Sequence, residues 1–146
     1  MERILISACL LGIASRYDGK SKLPPENDVI WQICERYEPI PFCPEVYGGL
    51  PTPRTPSERV LDKVIMKDGR DVTENYARGA EGALMLCKRL GIKKALLKER
   101  SPSCGKGKIY DGSFAGVLID GNGVCAELLM SEGIEVFGES EASKLL

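Results

Sequence analysis

ILISAC, residues 4–9, is a short apolar run that ends in a small polar turn and a cysteine. A run of this length and composition is typical of a strand buried on both faces of a sheet. EPIPFC at 38–43 and KKALLKERSPSC at 93–104 have the same design, an apolar strand followed by a loop with a cysteine. If the three runs are neighbouring parallel strands, their carboxyl ends meet at one edge, where open α/β sheets bind ligands. We therefore expect three thiols to converge there, those of Cys9, Cys43 and Cys104.

Helical patterns alternate with these strands. A proline-rich start signal at 24–28 precedes apolar residues at helical spacing, and Thr73 is predicted to cap a long second helix that ends at Gly91. The predicted elements are strands at 3–8, 38–42, 93–98 and 134–137, a hairpin at 59–72 around Asp68-Gly69, a short strand or apolar loop at 114–119, and helices at 30–37, 73–90, 124–129 and 139–146. This alternation favours a parallel sheet covered on both faces. We predict a single Rossmann-like α/β domain over residues 1–146, with three layers, a mostly parallel sheet of about four strands and a small β-hairpin insertion.

The composition excludes several classes of protein. The 146 residues suffice for one ordinary domain, and the formal net charge of −1 gives no sign of a surface for nucleic acid. No apolar run approaches the length of a membrane span. Residues 6–9 resemble a lipoprotein cleavage box, but the eight residues before Cys9 are too few for a signal peptide. We expect a cytoplasmic protein whose partner is a small molecule, with no nucleic acid and no membrane.

The six cysteines fall into two groups. Cys34, Cys87 and Cys125 lie on predicted apolar helix faces, where a free cysteine is usually a small buried hydrophobe. The three loop cysteines have polar, glycine and proline neighbours, which are typical of reactive or metal-binding thiols. The chain has no histidine, so nucleophile–histidine pairs and histidine-containing zinc sites are excluded.

Three thiolates without histidine suit either zinc or an iron–sulfur cluster. A closed structural zinc site requires a fourth ligand and usually C-x-x-C pairs, and the sequence has neither. Three cysteine ligands leave one coordination position free, in a four-iron cluster or in a three-cysteine zinc centre with bound water. The residues alone do not distinguish these two centres.

Polar residues beside the loop cysteines are candidates for proton transfer. Glu45, two residues after Cys43, is a candidate acid or base in a desolvated cleft, with a helix cap or a surface ion pair as the alternative. Ser101 and Ser103 offer hydroxyl groups to a substrate, with ordinary turn chemistry as the alternative.

Two arginines and a glycine turn are candidates for binding a substrate. Arg16 and Arg54 lie in loops and are candidate clamps, with structural ion pairs as the favoured alternative. Gly121-Asn122-Gly123 precedes a predicted helix and is a weak candidate for an anion cradle. An ordinary turn and helix cap is the favoured interpretation of that segment.

Six stretches of the sequence resemble the thiouracil desulfurase (desulfidase) family of small bacterial proteins. The stretches are ISACLLG at 6–12, RYDGKSK at 16–22, FCPEVYGGLPTPRTPSE at 42–58, LLKERSPSCG at 96–105, IYDGSFAG at 109–116 and GNGV at 121–124. The similarity runs essentially from end to end, without a departure at the motif positions.

The resemblance implies a Rossmann-like α/β domain that binds a [4Fe-4S] cluster through Cys9, Cys43 and Cys104. It implies an open fourth iron that takes the sulfur of a thiolated pyrimidine, in a hydrolytic reaction without net redox change that converts thiouracil to uracil and sulfide. The acid–base candidates are then Glu45 and Ser101. The candidates for substrate binding are Ser7, Arg16, Arg54 and Ser103.

Three alternatives remain open from the sequence. A three-cysteine zinc hydrolase would contain zinc instead of iron. A non-enzymatic cluster or thiol redox sensor would not turn over thiolated pyrimidines, and the chain lacks the basic patch or DNA-binding motif of a self-contained regulator. A cluster enzyme for another thioamide or thiopurine is the third. The sequence sets neither the ring position that reacts nor the oligomeric state.

Overall fold

A computed structural model describes residues 1–20 and 28–146. Its strands and helices are β1 (Arg3–Ser7), α1 (Asp28–Arg36), β2 (Glu38–Phe42), α2 (Pro44–Tyr47), β3 (Ser57–Val60), β4 (Lys63–Met66), α3 (Thr73–Leu90), β5 (Lys94–Leu97), β6 (Lys108–Tyr110), β7 (Leu118–Asp120), α4 (Val124–Ser131) and β8 (Glu135–Gly138), with 3₁₀ turns at Ala8–Leu11 and Glu139–Leu145. Of the helix-start signal expected at 24–28, residues 24–27 lie outside the described residues, and Asp28 begins α1. In the part of the chain that is described, no helix combines the length and the apolar character needed to cross a membrane.

The central sheet has four parallel strands in the order β2-β1-β5-β8. Helix α1 and the terminal 3₁₀ turn cover one face, and α3 and α4 cover the other. In β1, Ile4 and Ile6 pack towards α1, whereas Leu5 packs towards α3. Both faces of the strand are therefore buried, which is why β1 is a continuous apolar run in the sequence. The predicted three-layer α/β fold with a parallel sheet of four strands is confirmed.

The strand order creates a crevice between β1 and β5. The chain passes from β1 to β2 on one side, whereas β5 pairs with the opposite side of β1. Loops that leave such a switch point diverge and open a binding crevice at the carboxyl ends of the strands. The proline-containing β2 is an edge strand, where the missing N–H groups of Pro39 and Pro41 are tolerated.

The predicted small β-hairpin is confirmed, but the position predicted for its turn was wrong. Strands β3 and β4 are joined at Leu61-Asp62, not at Asp68-Gly69. The turn at Asp68-Gly69 follows β4, and after it the chain forms only one isolated β-bridge, between Ile65 and Asp71. A second hairpin, β6 with β7, was not predicted. The short strand or apolar loop expected at 114–119 overlaps β7 only at its end, and β6 was not expected, because strands of three residues each are too short for a periodic pattern.

Thr73 begins α3 but does not cap it with its side chain. Its hydroxyl group donates to Asp71 Oδ1 at 2.6 Å and accepts the N–H of Val64 at 2.9 Å. The residue therefore ties α3 to β4. The other end of the helix agrees with the prediction, since Gly91 adopts the left-handed conformation there, with a φ of 68°.

Glycines on α3 let α2 approach very closely. A Cβ atom at Gly79 would lie 2.0 Å from the carbonyl oxygen of Pro44, and one at Gly82 would lie 2.3 Å from the ring of Tyr47. Glycine weakens a helix interior by about 1 kcal/mol relative to alanine, so its presence in α3 is explained by this contact. The contact fixes the position of α2, the short helix that carries Glu45.

Candidate active site

The three loop cysteines line one cavity at the carboxyl edge of the sheet. The cavity has a volume of about 510 Å³ and is bordered by the loops after β1, β2 and β5 and by residues of both hairpins. Cys9 lies in the 3₁₀ turn after β1, Cys43 directly follows β2, and Cys104 lies in the loop after β5. Cys104 is buried, whereas Cys9 and Cys43 are partly buried.

The other three cysteines do not line this cavity. Cys87 and Cys125 are buried in the core between the sheet and helices α3 and α4, and Cys34 is partly buried against the opposite core. All six cysteines lie in the described residues, and none is in a disulfide. The expectation that these three pack as small hydrophobes agrees with the structure.

The N-terminus of α4 holds the loop with Cys104. Backbone N–H groups of residues 123–126 donate to the carbonyl oxygens of Pro102, Ser103 and Gly105 over 2.7–3.1 Å. A Cβ atom at Gly123 would lie 2.4 Å from the carbonyl group of Ser103, so only glycine permits this approach. The segment 121–123 is thus a turn and helix cap that binds the cysteine loop, and its glycine N–H groups are not available to an anion.

Serine side chains organise the surroundings of Cys104. Ser101 Oγ accepts the N–H groups of Ser103 and Cys104 at 3.0 and 3.1 Å, which is ordinary turn chemistry, and the residue also lines the cavity. Ser7 Oγ accepts the N–H of Lys98 at 2.9 Å and donates to the Cys104 thiol group. Ser103 lies in the same loop, directly before Cys104. It is buried and is not among the residues that line the cavity, and its hydroxyl group has no hydrogen-bond partner among the described residues.

Glu45 is held in one orientation at the cavity wall. Its Oε1 atom accepts the hydroxyl group of Tyr76 at 2.6 Å. Its Oε2 atom accepts Nε of Arg54 at 3.0 Å and a second, closer N–H from the same guanidinium group. The side chains are 13% exposed for Glu45 and 2% exposed for Arg54. Both carboxylate oxygens are therefore bound by donors that fix the orientation of the group.

Arg54 joins three segments of the site. Beyond Glu45, its guanidinium group donates to the carbonyl oxygen of Ser15 at 2.9 Å, to that of Pro51 at 3.2 Å and to Thr52 Oγ1 at 3.0 Å. The same Ser15 oxygen accepts the Cys43 thiol group at 3.7 Å. Arg54 is thus engaged by protein acceptors, and the ion-pair alternative considered for it is the arrangement observed.

Arg16 remains open to the cavity. Its side chain is 43% exposed and reaches Asp18 at 3.7 Å, a separation typical of a weak surface pair. It borders the cavity together with Ser7, Glu45 and Ser101.

The sequence analysis missed the role of Tyr76. This residue lies on the apolar face of α3, 31 residues from Glu45, and its spacing along the helix is that of a core residue.

Burial and the neighbouring sulfur atoms oppose ionisation of the Cys9 and Cys104 thiols. Burial raises the pKa of Cys9 to about 11, and the nearby Cys43 adds to this effect. Burial likewise raises the pKa of Cys104 well above its usual value, with further contributions from Cys125 and Cys9. Such thiols become thiolates when a metal supplies positive charge, so the site fits a metal centre by the chemistry of its donors.

A single metal ion and a cluster place different demands on the separation of three thiols. In the ranges 1–20 and 28–146, no three cysteine, aspartate or glutamate side chains are grouped closely enough to hold one ion. With Zn–S bonds of about 2.3 Å, three thiolates around zinc lie within roughly 4 Å of one another. A multinuclear iron–sulfur cluster bonds each cysteine to a different iron and therefore accepts a wider separation.

These features define a small α/β protein with a thiol-lined candidate metal centre at the switch point of its sheet. A family model described as 2-thiouracil desulfurase matches residues 4–141, and the chain belongs to that family. The uncharacterized protein YbbK of Bacillus subtilis is 38% identical over 153 residues, which cover 98% of this chain and 99% of the relative. The solved structure of the [4Fe-4S]-dependent thiouracil desulfidase TudS is 50% identical, with a TM-score of 0.91 over 99% of this chain and 95% of that one.

Replacing Arg54 tests whether it is the counter-charge of Glu45. We expect Arg54→Met to lower the free energy of unfolding by about 3–5 kcal/mol, because the substitution leaves a buried carboxylate without its partner. Adding Glu45→Gln to that variant removes the charge and should recover part of the loss. Urea unfolding of the wild type, both single variants and the double variant measures the coupling. Strictly additive effects would contradict a buried ion pair.

Proposed function

We propose that this protein is a [4Fe-4S]-dependent thiouracil desulfidase whose cluster is held by Cys9, Cys43 and Cys104. The observation that supports this most strongly is that three thiols from three adjacent parallel strands line one cavity, and that no fourth cysteine is among the described residues that line it. Three cysteine ligands leave one iron open to a substrate atom. Membership of the desulfurase family and the 50% identity with TudS support the same cofactor and the same substrate class.

The overall reaction converts thiouracil and water to uracil and hydrogen sulfide. The carbon atom exchanges a sulfur for an oxygen at the same oxidation level, so no net oxidant or reductant is required. Held by Cys9, Cys43 and Cys104, the cluster would supply a Lewis-acidic iron able to polarise a thiocarbonyl group. The residues of the chain supply the orientation of the substrate and the transfer of protons.

Glu45 is the proposed group for moving protons. Its carboxylate lies at the wall of the cavity, and Arg54 and Tyr76 hold its two oxygens. Within this fixed arrangement it removes a proton from the attacking water and delivers it towards the departing sulfur. In this scheme Arg54 and Tyr76 affect the reaction only by holding Glu45, so we assign them a positioning role.

Ser101 and the remaining polar residues are proposed to orient the substrate. Since the oxygen of Ser101 already accepts two backbone N–H groups, its hydroxyl proton is available to donate into the cavity. Arg16 offers an exposed guanidinium group at the rim, and Ser7 supports Cys104 through a hydrogen bond. Ser103 directly precedes Cys104 but is buried and does not line the cavity, so its unsatisfied hydroxyl group is proposed to act within the loop and not on the substrate.

Cysteine variants test the proposed function. Anaerobically reconstituted wild type should contain about four irons per chain and release sulfide from 2- or 4-thiouracil. Cys9→Ala, Cys43→Ala and Cys104→Ala should each lose turnover and most of the iron, whereas the control Cys34→Ala should retain both, since Cys34 does not line the cavity. Iron analysis and sulfide release are the measurements.

The outcomes of the same experiment separate the alternatives. Zinc without iron in an active protein would support the three-cysteine zinc hydrolase and overturn the cluster. A full complement of iron with no release of sulfide would favour a sensor or a different thiocarbonyl substrate.

A cytoplasmic location and the absence of nucleic-acid and membrane partners remain predictions of the same proposal.

Glu45→Gln tests the proposed proton transfer. The amide keeps the shape of the side chain but cannot accept a proton, so turnover should fall about 10²–10⁴-fold. Iron content should stay at the wild-type level, because Glu45 is not a proposed ligand. Steady-state release of sulfide, normalised to iron, measures the effect. Full turnover of Glu45→Gln with intact iron would remove Glu45 from the mechanism.

A further inference from the structure

The loop between β6 and β7, residues 111–117, forms part of the cavity wall and has an unusual backbone. Gly112, Phe114 and Gly116 adopt positive φ angles of 98°, 57° and 75°. Glycine enters this region at no cost, whereas a bulky aromatic residue is strained there. Phenylalanine at 114 is therefore a poor choice for the turn itself, and strain of this kind is concentrated at functional positions.

A buried carboxylate on β3 holds this loop. Glu58 is only 8% exposed, and its Oε1 atom accepts the N–H groups of Gly112 at 2.8 Å and of Phe114 at 3.1 Å. Asp111 Oδ1 adds a local brace by accepting the N–H and the hydroxyl group of Ser113 at 2.9 and 2.6 Å. Two backbone N–H groups on one carboxylate make a strong, charge-assisted anchor. The backbone from which the Phe114 side chain projects is thus fixed.

Core packing does not explain this ring. Phe114 is partly buried, but it belongs to none of the three core clusters formed by the described residues. It borders the same cavity as the three loop cysteines, with Tyr17, Phe42 and Tyr110 as further aromatic neighbours of that space. An aromatic face on the wall of a substrate cavity is suited to a flat ring, since such rings stack in an offset arrangement.

We propose that Phe114 is a specificity-determining residue that stacks on the pyrimidine ring of the substrate, and that Glu58 is the residue that positions it. The inference rests on the proposed function and deepens it. It assigns the selection of flat, unsaturated heterocycles to the β6–β7 loop, separately from the binding of sulfur at the metal centre. Saturated rings with the same carbonyl and N–H groups lose this contact, because they are puckered.

Uracil and 5,6-dihydrouracil are a matched pair of probes for the stacking. They share the same carbonyl and N–H groups, but only uracil is flat. In equilibrium dialysis with the iron-loaded protein, Phe114→Leu should weaken the binding of uracil roughly tenfold and leave dihydrouracil unchanged, while Phe114→Trp should retain the wild-type preference. The KM for 2-thiouracil should rise by a similar factor in Phe114→Leu, with kcat nearly unchanged.

Two further variants protect the test against loss of fold. Glu58→Gln should shift the preference in the same direction by a smaller factor, since a neutral amide oxygen holds the two N–H groups less strongly. Phe114→Gly removes the ring and tolerates the positive φ, so it replaces Phe114→Leu if that variant does not load iron. Iron content and thermal unfolding are measured for each protein.

The results separate the inference from the proposed function. Wild-type release of sulfide together with an unchanged uracil preference in Phe114→Leu, or in its glycine replacement, would overturn the role of Phe114 and leave the desulfidase intact. Failure of the iron-loaded wild type to release sulfide from thiouracil would overturn the proposed function and with it the substrate class named here.

Discussion

Parallel pairing on both sides of β1 determines the architecture of the site. Ser7 at the end of β1 is in register with Phe42 at the end of β2, and Leu5 and Ile6 pair with Ala95 and Leu96 of β5. Because all three strands end at the same edge, the loops that follow them place their thiols around one cavity. The same pairing creates the switch point at which the loops after β1 and β5 diverge. Without this strand order, the cysteines would be unrelated thiols on separate loops.

The charges around the cavity follow from the same arrangement. Burial opposes ionisation of the Cys9 and Cys104 thiols, so these two require a positive partner to become thiolates. Glu45 is different, since Arg54 supplies its counter-charge from within the chain. Arg54 also shares the Ser15 carbonyl oxygen with Cys43, which couples the orientation of the carboxylate to that of a proposed ligand. A metal centre and an acid–base group can thus lie in one cavity without neutralising each other.

The sequence predicted the features that depend on short-range pattern. Apolar runs such as that of β1 identify buried strands, and cysteines in the following loops are visible as a repeated motif. The ion pair favoured for Arg54 is observed, but its partner Glu45 could not be predicted, because that pairing depends on where the fold places two separate segments of the chain. Tyr76 has the spacing of a core residue, and only the fold shows that its hydroxyl group reaches Glu45. The hairpin of β6 and β7 was missed because its strands are too short for a periodic signal.

The central claim is that three cysteines hold a cluster with one iron open to the substrate. Mössbauer spectroscopy of the protein loaded with ⁵⁷Fe, before and after addition of 2-thiouracil, tests it most directly. The account predicts that one of the four irons of the cluster changes its signal when the thiolated base binds, while the other three keep theirs. A spectrum in which no iron responds to the substrate would contradict an open coordination site. The cavity would then bind a fully ligated centre, and the substrate sulfur would have to react elsewhere.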